Sequence, residues 1–273
     1  MSEEKRKIHS EGYYILSFIF MHIFSFGVAG IIFIFFIKNF FIPNVLNVSN
    51  FFDLILIPES LITIFLTPGI IILSYLVHLF LVAIVLKLIY NHTEKLEPMK
   101  AGIIPREKNS RALKYYHIRS YILRYPKWAF TKSPFPWLAI KLFNFVGTTN
   151  YGKGTTLEEQ VCGEKYITTG KNCYFGVNGV LTSHLVEGSF GNVQLFPIKI
   201  GNNVSLSTFA CIPPGTEIGD NVVMFPVSGS AKNDILKSNN YYIGMPVRKL
   251  FTKKIKELTK LSEEQIGLKK KLK

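Results

Sequence analysis

The chain has 273 residues, enough to bury a core without covalent staples, so a small disulfide scaffold is excluded. Hydrophobic residues make up 48% and mean hydropathy is +0.24, which excludes a disordered chain and argues against an ordinary soluble enzyme. Lys and Arg number 32 against 18 Asp and Glu, a net charge of +14, and the excess is confined to one part. Residues 1–100 hold 7 basic and 7 acidic side chains, whereas residues 101–273 hold 25 and 11.

From Tyr13 to Ile37 no charged residue occurs over 25 positions, more than a hydrocarbon core of roughly 30 Å requires at about 1.5 Å per residue. A cleaved signal peptide has an apolar core of only about 7 to 15 residues and a small-residue cleavage site, so this segment reads as a retained membrane helix. A second span is read from Ile70 to Leu86, opened by Thr67-Pro68-Gly69, with Lys87 able to snorkel. Residues 40–66 hold apolar runs broken by Pro43, Asn44, Asn47, Asn50, Asp53 and Pro58, and are expected as an interfacial hairpin loop. Residues 1–100 thus form a transmembrane helical hairpin. Lys5-Arg6-Lys7 precede the first span, and Lys95, Lys100, Arg106 and Lys108 follow the second. The chain is therefore expected to be multi-pass, with both termini and the downstream domain cytoplasmic. Cys162, Cys173 and Cys211 fall in that half and are odd in number, which suits reduced thiols. Asn47-Val48-Ser49 fits a glycosylation sequon on the outer side. His22 and His78 lie inside the spans without an intramembrane Asp or Glu, and are read as packing or hydrogen-bonding groups rather than a proton relay.

Residues 101–144 are a basic aromatic bridge. Arg111, Lys114, Arg119, Arg124, Lys127, Lys132 and Lys141 are interleaved with Tyr115, Tyr116, Tyr121, Tyr125, Trp128, Phe130 and Trp137. Such a mixture can hold nucleic acid through phosphate contact and base stacking. Directly after a membrane exit it fits better as helices in the headgroup layer, with cations on anionic lipid and rings at the acyl boundary. No nucleic-acid partner is expected. Pro126, Pro134 and Pro136 divide the stretch into short helices.

From residue 151 the helical periodicity vanishes. Counting in sixes gives Ile200, Leu206, Ile212, Ile218 and Met224, and four residues after each come Val204, Ala210, Thr216, Val222 and Ser228. Ile200-Gly201-Asn202-Asn203-Val204 and Ile218-Gly219-Asp220-Asn221-Val222 are near copies eighteen residues apart, which predicts a coil of three short strands joined by Gly, Asn and Asp turns. The frame extends back through Thr169, Phe175 and Leu181 and fades through Gly163, Leu157 and Tyr151. Period six cannot be an amphipathic helix, so a solenoid follows over residues 145–250. Residues 251–273 are expected as a C-terminal helix that caps it with Leu250, Ile255, Leu258, Leu261 and Ile266.

The regularity fails once. Leu181 and Ile200 are 19 residues apart, one more than three sixes, and Leu185 to Lys199 lacks aliphatic corners, so a loop leaves the solenoid there. Loops on a rigid scaffold are where functional groups gather. His184 sits at this break and is the only histidine in residues 118–273; its imidazole could take a proton from an attacking hydroxyl or amine near neutral pH. Glu187 could orient the ring. An oxyanion donor could come from the backbone NH of Gly201 or from Ser205 or Ser207. Cys173 and Cys211 fall in or beside the small inward column and read as buried structural thiols.

The period-six pattern, Pro213-Pro214-Gly215 at a turn and the closing Gly244-Met245-Pro246-Val247-Arg248 resemble the hexapeptide-repeat acyltransferase family. That resemblance implies a mainly β solenoid, a left-handed parallel β-helix preceded by two transmembrane α-helices and interfacial helices and followed by a C-terminal α-helix. The closing segment looks like the family's Gly-Asn-Pro-Ala-Arg, with Met245 and Val247 replacing Asn and Ala. There the co-substrate acyl-CoA, acetyl-CoA in the first instance, would lie along the last coils, with Ser205, Ser207, Pro246 and Arg248 as the candidates for holding it. The order of membrane helices, bridge, Thr182-Ser183-His184-Leu185 and Pro197-Ile198-Lys199-Ile200-Gly201 is similar to the membrane-bound acyltransferase-like domain at the end of poly-lysine synthetases, in which the His of the matching segment stands in the place of the catalytic base. A homotrimer, with sites between neighbouring solenoids, is implied by the same resemblance.

A carbonic anhydrase of this architecture needs about three histidines for zinc and is excluded, and no metal is expected, since a thioester is electrophilic enough for a base and an oxyanion donor to suffice. A nucleotide-sugar transferase needs a phosphate-binding glycine loop that Gly147, Gly152 and Gly154 do not make. The expectation is a membrane-anchored acyltransferase acting from CoA or a carrier thioester on a hydroxyl or amine of a membrane-proximal or lipid-linked acceptor. The alternative is a catalytically inactive β-helix membrane scaffold or interaction protein.

Overall fold

The structure, a computed structural model, describes residues 11–107, 110–158, 165–187, 191–262 and 265–266. Lys5-Arg6-Lys7, Lys108, Cys162 and Gly163 lie outside the described residues. The chain divides into a helical unit, Glu11–Ile89, and a second unit that begins at Tyr90 and carries the strands.

In the first unit, α1 (Glu11–Phe36) runs on into a π-helical stretch, Ile37–Leu46. A short α2 (Asp53–Leu56) precedes α3 (Pro58–Leu96), whose end lies in the second unit. Both Gly12–Leu46 and Pro58–Leu96 are long and apolar enough to cross a membrane. Residues 40–66 are therefore not the expected loop: helix covers them except at residues 47–52 and Ile57. The polar residues that look like breaks fold back onto helix. Asn39 donates to the Phe35 carbonyl at 2.8 Å, and the Asn44 amide donates to Thr63 Oγ1 at 3.1 Å. Pro43 has no N–H to give to an α-helical ladder and sits where the helix widens to π geometry. Pro58 occupies the start of α3, where a missing N–H costs nothing, and the helix passes through Pro68 instead of beginning there.

In the second unit, β1 (Gly102–Ile104) is followed by α4 (Arg111–Ile122), α5 (Arg124–Thr131) and α6 (Leu138–Val146). Ser110 caps α4 by accepting from the Leu113 N–H, and Gly147 ends α6 at φ 84°. The bridge helices are not simply a charged collar. α4 buries Leu113, Tyr116, Ile118 and Ile122, and with them Arg119, which is 3% exposed. Arg119 donates to Thr93 Oγ1 (3.2 Å), to the Thr93 carbonyl (2.8 Å) and to the Glu97 carbonyl, and pairs with Glu94 at 3.4 Å. It thus satisfies carbonyls at the C-terminal end of α3, where a cation is favoured. Lys165 reaches the other oxygen of Glu94 at 2.6 Å, which joins the same helix end to the strand region.

The strands then follow in sixes: β2 (Thr149–Asn150), β3 (Thr156–Leu157), β4 (Ile167–Thr169), β5 (Tyr174–Phe175) and β6 (Val180–Leu181) before the break. After it come β9 (Ile198–Ile200), β10 (Ser205–Leu206), β11 (Cys211–Ile212), β12 (Glu217–Ile218), β13 (Val223–Met224), β14 (Ile235–Leu236) and β15 (Tyr241–Ile243). They fall in rotation on three parallel sheets, ordered β2-β4-β9-β12-β14, β3-β5-β10-β13-β15 and β6-β11. Gly229 extends the third by bridging Cys211. Partners are eighteen residues apart, as in Lys199 opposite Glu217 opposite Ile235. The frame continues upstream to β2, with Leu157 opposite Phe175. Leu206, Ile212, Ile218 and Met224 are buried, and so are Val204, Ala210, Thr216, Val222 and Ser228 of the small column.

The turns explain the six-residue period. Asn203, Phe209, Gly215, Asn221, Val227, Asn233 and Asn239 all have φ between 54° and 79°, one every six residues. Asn and Gly tolerate this left-handed conformation best. Their amides also ladder between coils: Asn203 donates to Asn221 Oδ1 at 3.0 Å, and Asn221 to Asn239 Oδ1 at 2.9 Å. At Gly201 a Cβ would stand 2.4 Å from Asp220 Oδ1, so the coils stack too closely there for any side chain.

At the break, β6 leads into β7 (His184–Glu187) and β8 (Asn192–Leu195), an antiparallel hairpin rather than an unpaired loop, and β1 adds to β8 as a third strand. Across the hairpin the parallel register steps 31 residues, Thr168 opposite Lys199, and returns to eighteen afterwards. At the C-terminal end β16 (Arg248–Lys249) pairs antiparallel with β15, and α7 (Thr252–Thr259) follows. Lys260, at φ 58°, ends that helix, so the expected continuous helix is interrupted. Ile255 and Ile266 still pack with Tyr241, aided by Leu250 and Leu261, whereas Leu258 is exposed.

Val227 is the costly turn. It is β-branched, 64% exposed and held at φ 55°, so its side chain gains little burial for the strain. Val227→Asn, matching the preceding and following turns at Asn221 and Asn233, is expected to stabilise the coil by about 1 kcal/mol in denaturant unfolding; an unchanged or lower midpoint would contradict the strain account.

Candidate functional site

His184 opens β7, directly after the coil position Leu181, and is half-buried. Thr182 fixes it. The Thr182 hydroxyl donates its single proton to the His184 carbonyl at 2.7 Å and lies 3.2 Å from His184 Nδ1. In the tautomer that carries its N–H at Nδ1, that N–H points to Thr182 Oγ1 and the basic lone pair is on Nε2. Tyr116 meets the ring edge to face at 5.5 Å, and Tyr116 is itself locked in a buried cluster with Ile104, Leu113 and Val193. The imidazole is thus held from α4, β1 and β8 together.

His184 lines a cavity of about 320 Å³ between the hairpin and the bridge helices. The other walls are His117, Ser120 and Tyr121 of α4, Arg124 and Lys127 of α5, and Val186 of β7. Positions 117, 120, 124 and 127 recur at helical spacing across the joint between α4 and α5, so one polar stripe faces the histidine. Arg124 stacks over the Tyr121 ring at 4.9 Å, which orients its guanidinium. On its other side His184 borders a space of about 20 Å³, the size of a single water site, beside Arg119 and Lys165.

The other candidates are placed differently. Glu187 ends β7 opposite Asn192, and its side chain lies outside the described residues. Ser205 lies on β10, Ser207 directly after it, Pro246 between β15 and β16, and Arg248 on β16. Ser205 and Arg248 belong to one sheet, β10-β13-β15-β16, and Ser207 and Pro246 flank its strands. None of them lines the His184 cavity. Gly201 follows β9 at a close-stacked corner and gives its N–H to the Ile218 carbonyl at 2.7 Å, so that group is already committed within the coil. Cys173 is buried with Sγ 3.1 Å from the Gly201 carbonyl, and desolvation pushes its thiol up; Cys211 is half-buried and pushed up for the same reason. Both are poor nucleophiles.

Sequence reasoning singled out Tyr116, Tyr121, Arg124 and Lys127 as lipid-facing bridge residues and overlooked His117 and the role of Thr182. A signal existed for His117, a histidine at the start of a polar helical stripe. For Thr182 there was none beyond its place two residues before His184.

No family model matches the chain, and no curated protein matches it. Similar solved structures are a maltose O-acetyltransferase from Clostridium difficile 630 (24% identity, 39% of this chain and 59% of that one, TM-score 0.35), and a hexapeptide-repeat acetyltransferase from Vibrio cholerae complexed with acetyl coenzyme A (17%, 46% and 81%, TM-score 0.40). A third is a galactoside acetyltransferase in complex with coenzyme A (24%, 46% and 76%, TM-score 0.36). The chain spans about 59% of the length of the maltose enzyme it matches.

Burial, and then the nearby Arg106 guanidinium, hold His117 below its ordinary value of 6.5. The folded chain therefore resists a proton that the unfolded chain accepts, so this residue costs stability as pH falls through about 6.5 and costs none above it. The fall in unfolding midpoint between about pH 7.5 and 5.5 is expected to shrink in His117→Gln. An identical fall in parent and variant would show that His117 is not held neutral.

Proposed function

We propose that the chain is a membrane-anchored acyltransferase with a left-handed parallel β-helix. It moves an acyl group, acetyl in the first instance, from CoA or a carrier thioester to a hydroxyl or amine of a membrane-proximal acceptor. The observation that carries this reading is the sole histidine of the strand region, projected at the one break in the coil, fixed by Thr182 at Nδ1 and facing a cavity. Two apolar helices, then basic helices, then coils support the membrane-anchored type found at the end of poly-lysine synthetases, with the coils on the cytoplasmic side where CoA is found.

In the proposed reaction Nε2 of His184 takes the proton from the acceptor as its oxygen or nitrogen attacks the thioester carbonyl. Collapse of the tetrahedral intermediate breaks the carbon–sulfur bond, and the imidazolium returns the proton to the leaving thiolate. The Thr182 contact at Nδ1 presents Nε2 as the basic nitrogen before the proton is taken and again after it is returned. Ser205 or Ser207 with Arg248 would hold the acyl-CoA along the shared sheet. Their separation from the His184 cavity is accounted for by a homotrimer, in which the sheet of one solenoid faces the hairpin of its neighbour. The same separation favours a second reading, an inactive membrane scaffold.

Membranes from cells with and without the protein, supplied with acetyl-CoA and read by mass spectrometry of lipids and glycolipids, separate the two. An acyl-sized mass increase is expected with the parent, reduced about 10²- to 10⁴-fold in His184→Ala and less severely in Thr182→Val. Transfer by His184→Ala equal to the parent's removes the assigned base, and no product from any variant favours the scaffold.

A further inference from the structure

The cavity in front of His184 has a charge pattern that acyl transfer does not require. Proton abstraction needs the imidazole alone, yet the facing stripe brings Arg124 and Lys127 to the same space, with Ser120, Tyr121 and His117 beside them. No carboxylate occurs among its described lining residues, and among the described residues neither cation is in an ion pair with one. Arg124 is held by the Tyr121 ring, so its fork is oriented before any ligand arrives. A point cation, an oriented guanidinium and two hydroxyls are a donor set for a group with several acceptor oxygens and at least one negative charge. The volume of about 320 Å³ leaves room for such a group together with the part of the molecule that carries the reacting atom.

We propose that the acceptor carries a phosphate or pyrophosphate group, bound by Arg124 and Lys127, and that this anchor delivers the neighbouring hydroxyl or amine to His184. This deepens the acyltransferase reading and rests on it. The phosphate is borne either by a membrane lipid or by a soluble molecule, and recognition is the same in both cases. Lys127 acts as the charge and Arg124 as the bidentate fork, while Val186 on the opposite wall offers an apolar surface to the rest of the acceptor.

The test uses the full chain in detergent and inorganic pyrophosphate as the probe, with affinity read by calorimetry. The double variant Arg124→Gln/Lys127→Gln is expected to bind at least about tenfold more weakly, and Lys141→Gln/Lys253→Gln, which removes two exposed cations elsewhere, to bind within about twofold of the parent. Equal affinity in the first double variant, or an equal loss in the second, overturns the site, the latter because binding would then follow net charge alone. Arg124 is exposed and Lys127 half-buried, and matching unfolding midpoints verify that the variant is folded. His184→Ala is expected to keep pyrophosphate affinity within about threefold, so failure of the base assignment and failure of the phosphate site read out separately. Adding phosphatidic acid to the micelles identifies the source. Displacement of pyrophosphate supports a lipid phosphate, and binding unaffected by the lipid supports a soluble one.

Discussion

The second unit depends on a backbone constraint: every sixth residue of the coil turns through the left-handed region, and each turn must find its place on the coil above. A two-residue strand cannot persist alone. It becomes stable when the strand eighteen residues on supplies hydrogen bonds and when the inward aliphatic residue is covered by its counterpart. Stacked Asn amides and the close approach at Gly201 are consequences of the same spacing. The constraint is strict about register and indifferent to what happens between coils. A chain excursion is therefore tolerated if its two ends meet at a corner. Here the Phe196 N–H donates to the Ser183 carbonyl at 2.9 Å, closing the neck of the hairpin, and the register resumes at Ile198.

What leaves through that neck is not a free loop. β8 is paired on both edges, by β7 and by β1, and Val193 is buried with Ile104, Leu113 and Tyr116. Arg106 gives its N–H to Asn192, and Lys232 of the later coils reaches Gln194 at 2.7 Å. The histidine at the base of this hairpin is therefore held by Thr182 from the link between β6 and β7 and by Tyr116 from α4. Groups that do chemistry need such support, because a side chain set only by its own rotamer is too loose to aim a lone pair. The buried Arg119, anchored on Thr93 and Glu94, ties the end of α3 to the same helix that carries Tyr116 and His117.

Much of this was legible in the amino-acid order. The columns at Leu206, Ile212, Ile218 and Met224 identified the coil, because an inward position in a stacked strand must be apolar. The failure of that spacing after Leu181 located His184. Illegible features depended on partners distant in sequence. β1 is three residues long and pairs with a strand some ninety residues later, so no local pattern announces it. Arg119 looks like any other cation of the bridge until Glu94 and the end of α3 are folded against it. Residues 40–66 misled for the opposite reason: Pro43 and Asn44 carry local breaking signals that helical hydrogen bonding and a contact to Thr63 override. Nor does any local pattern show that part of the basic bridge stripe, Arg124 and Lys127, lines the cavity of His184.

The most direct test of a continuous coil carrying a grafted hairpin is to remove residues 184–196, which brings Ile200 six residues after Leu181 and restores the eighteen-residue step. Hydrogen exchange on the shortened chain is the measurement. If the hairpin is an excursion, amides from Ile198 to Ile243 keep the protection they have in the parent, while α4 and β1, deprived of Val193, exchange faster. Loss of protection throughout the strands would mean that the hairpin is part of what holds the coil together, contradicting the central claim.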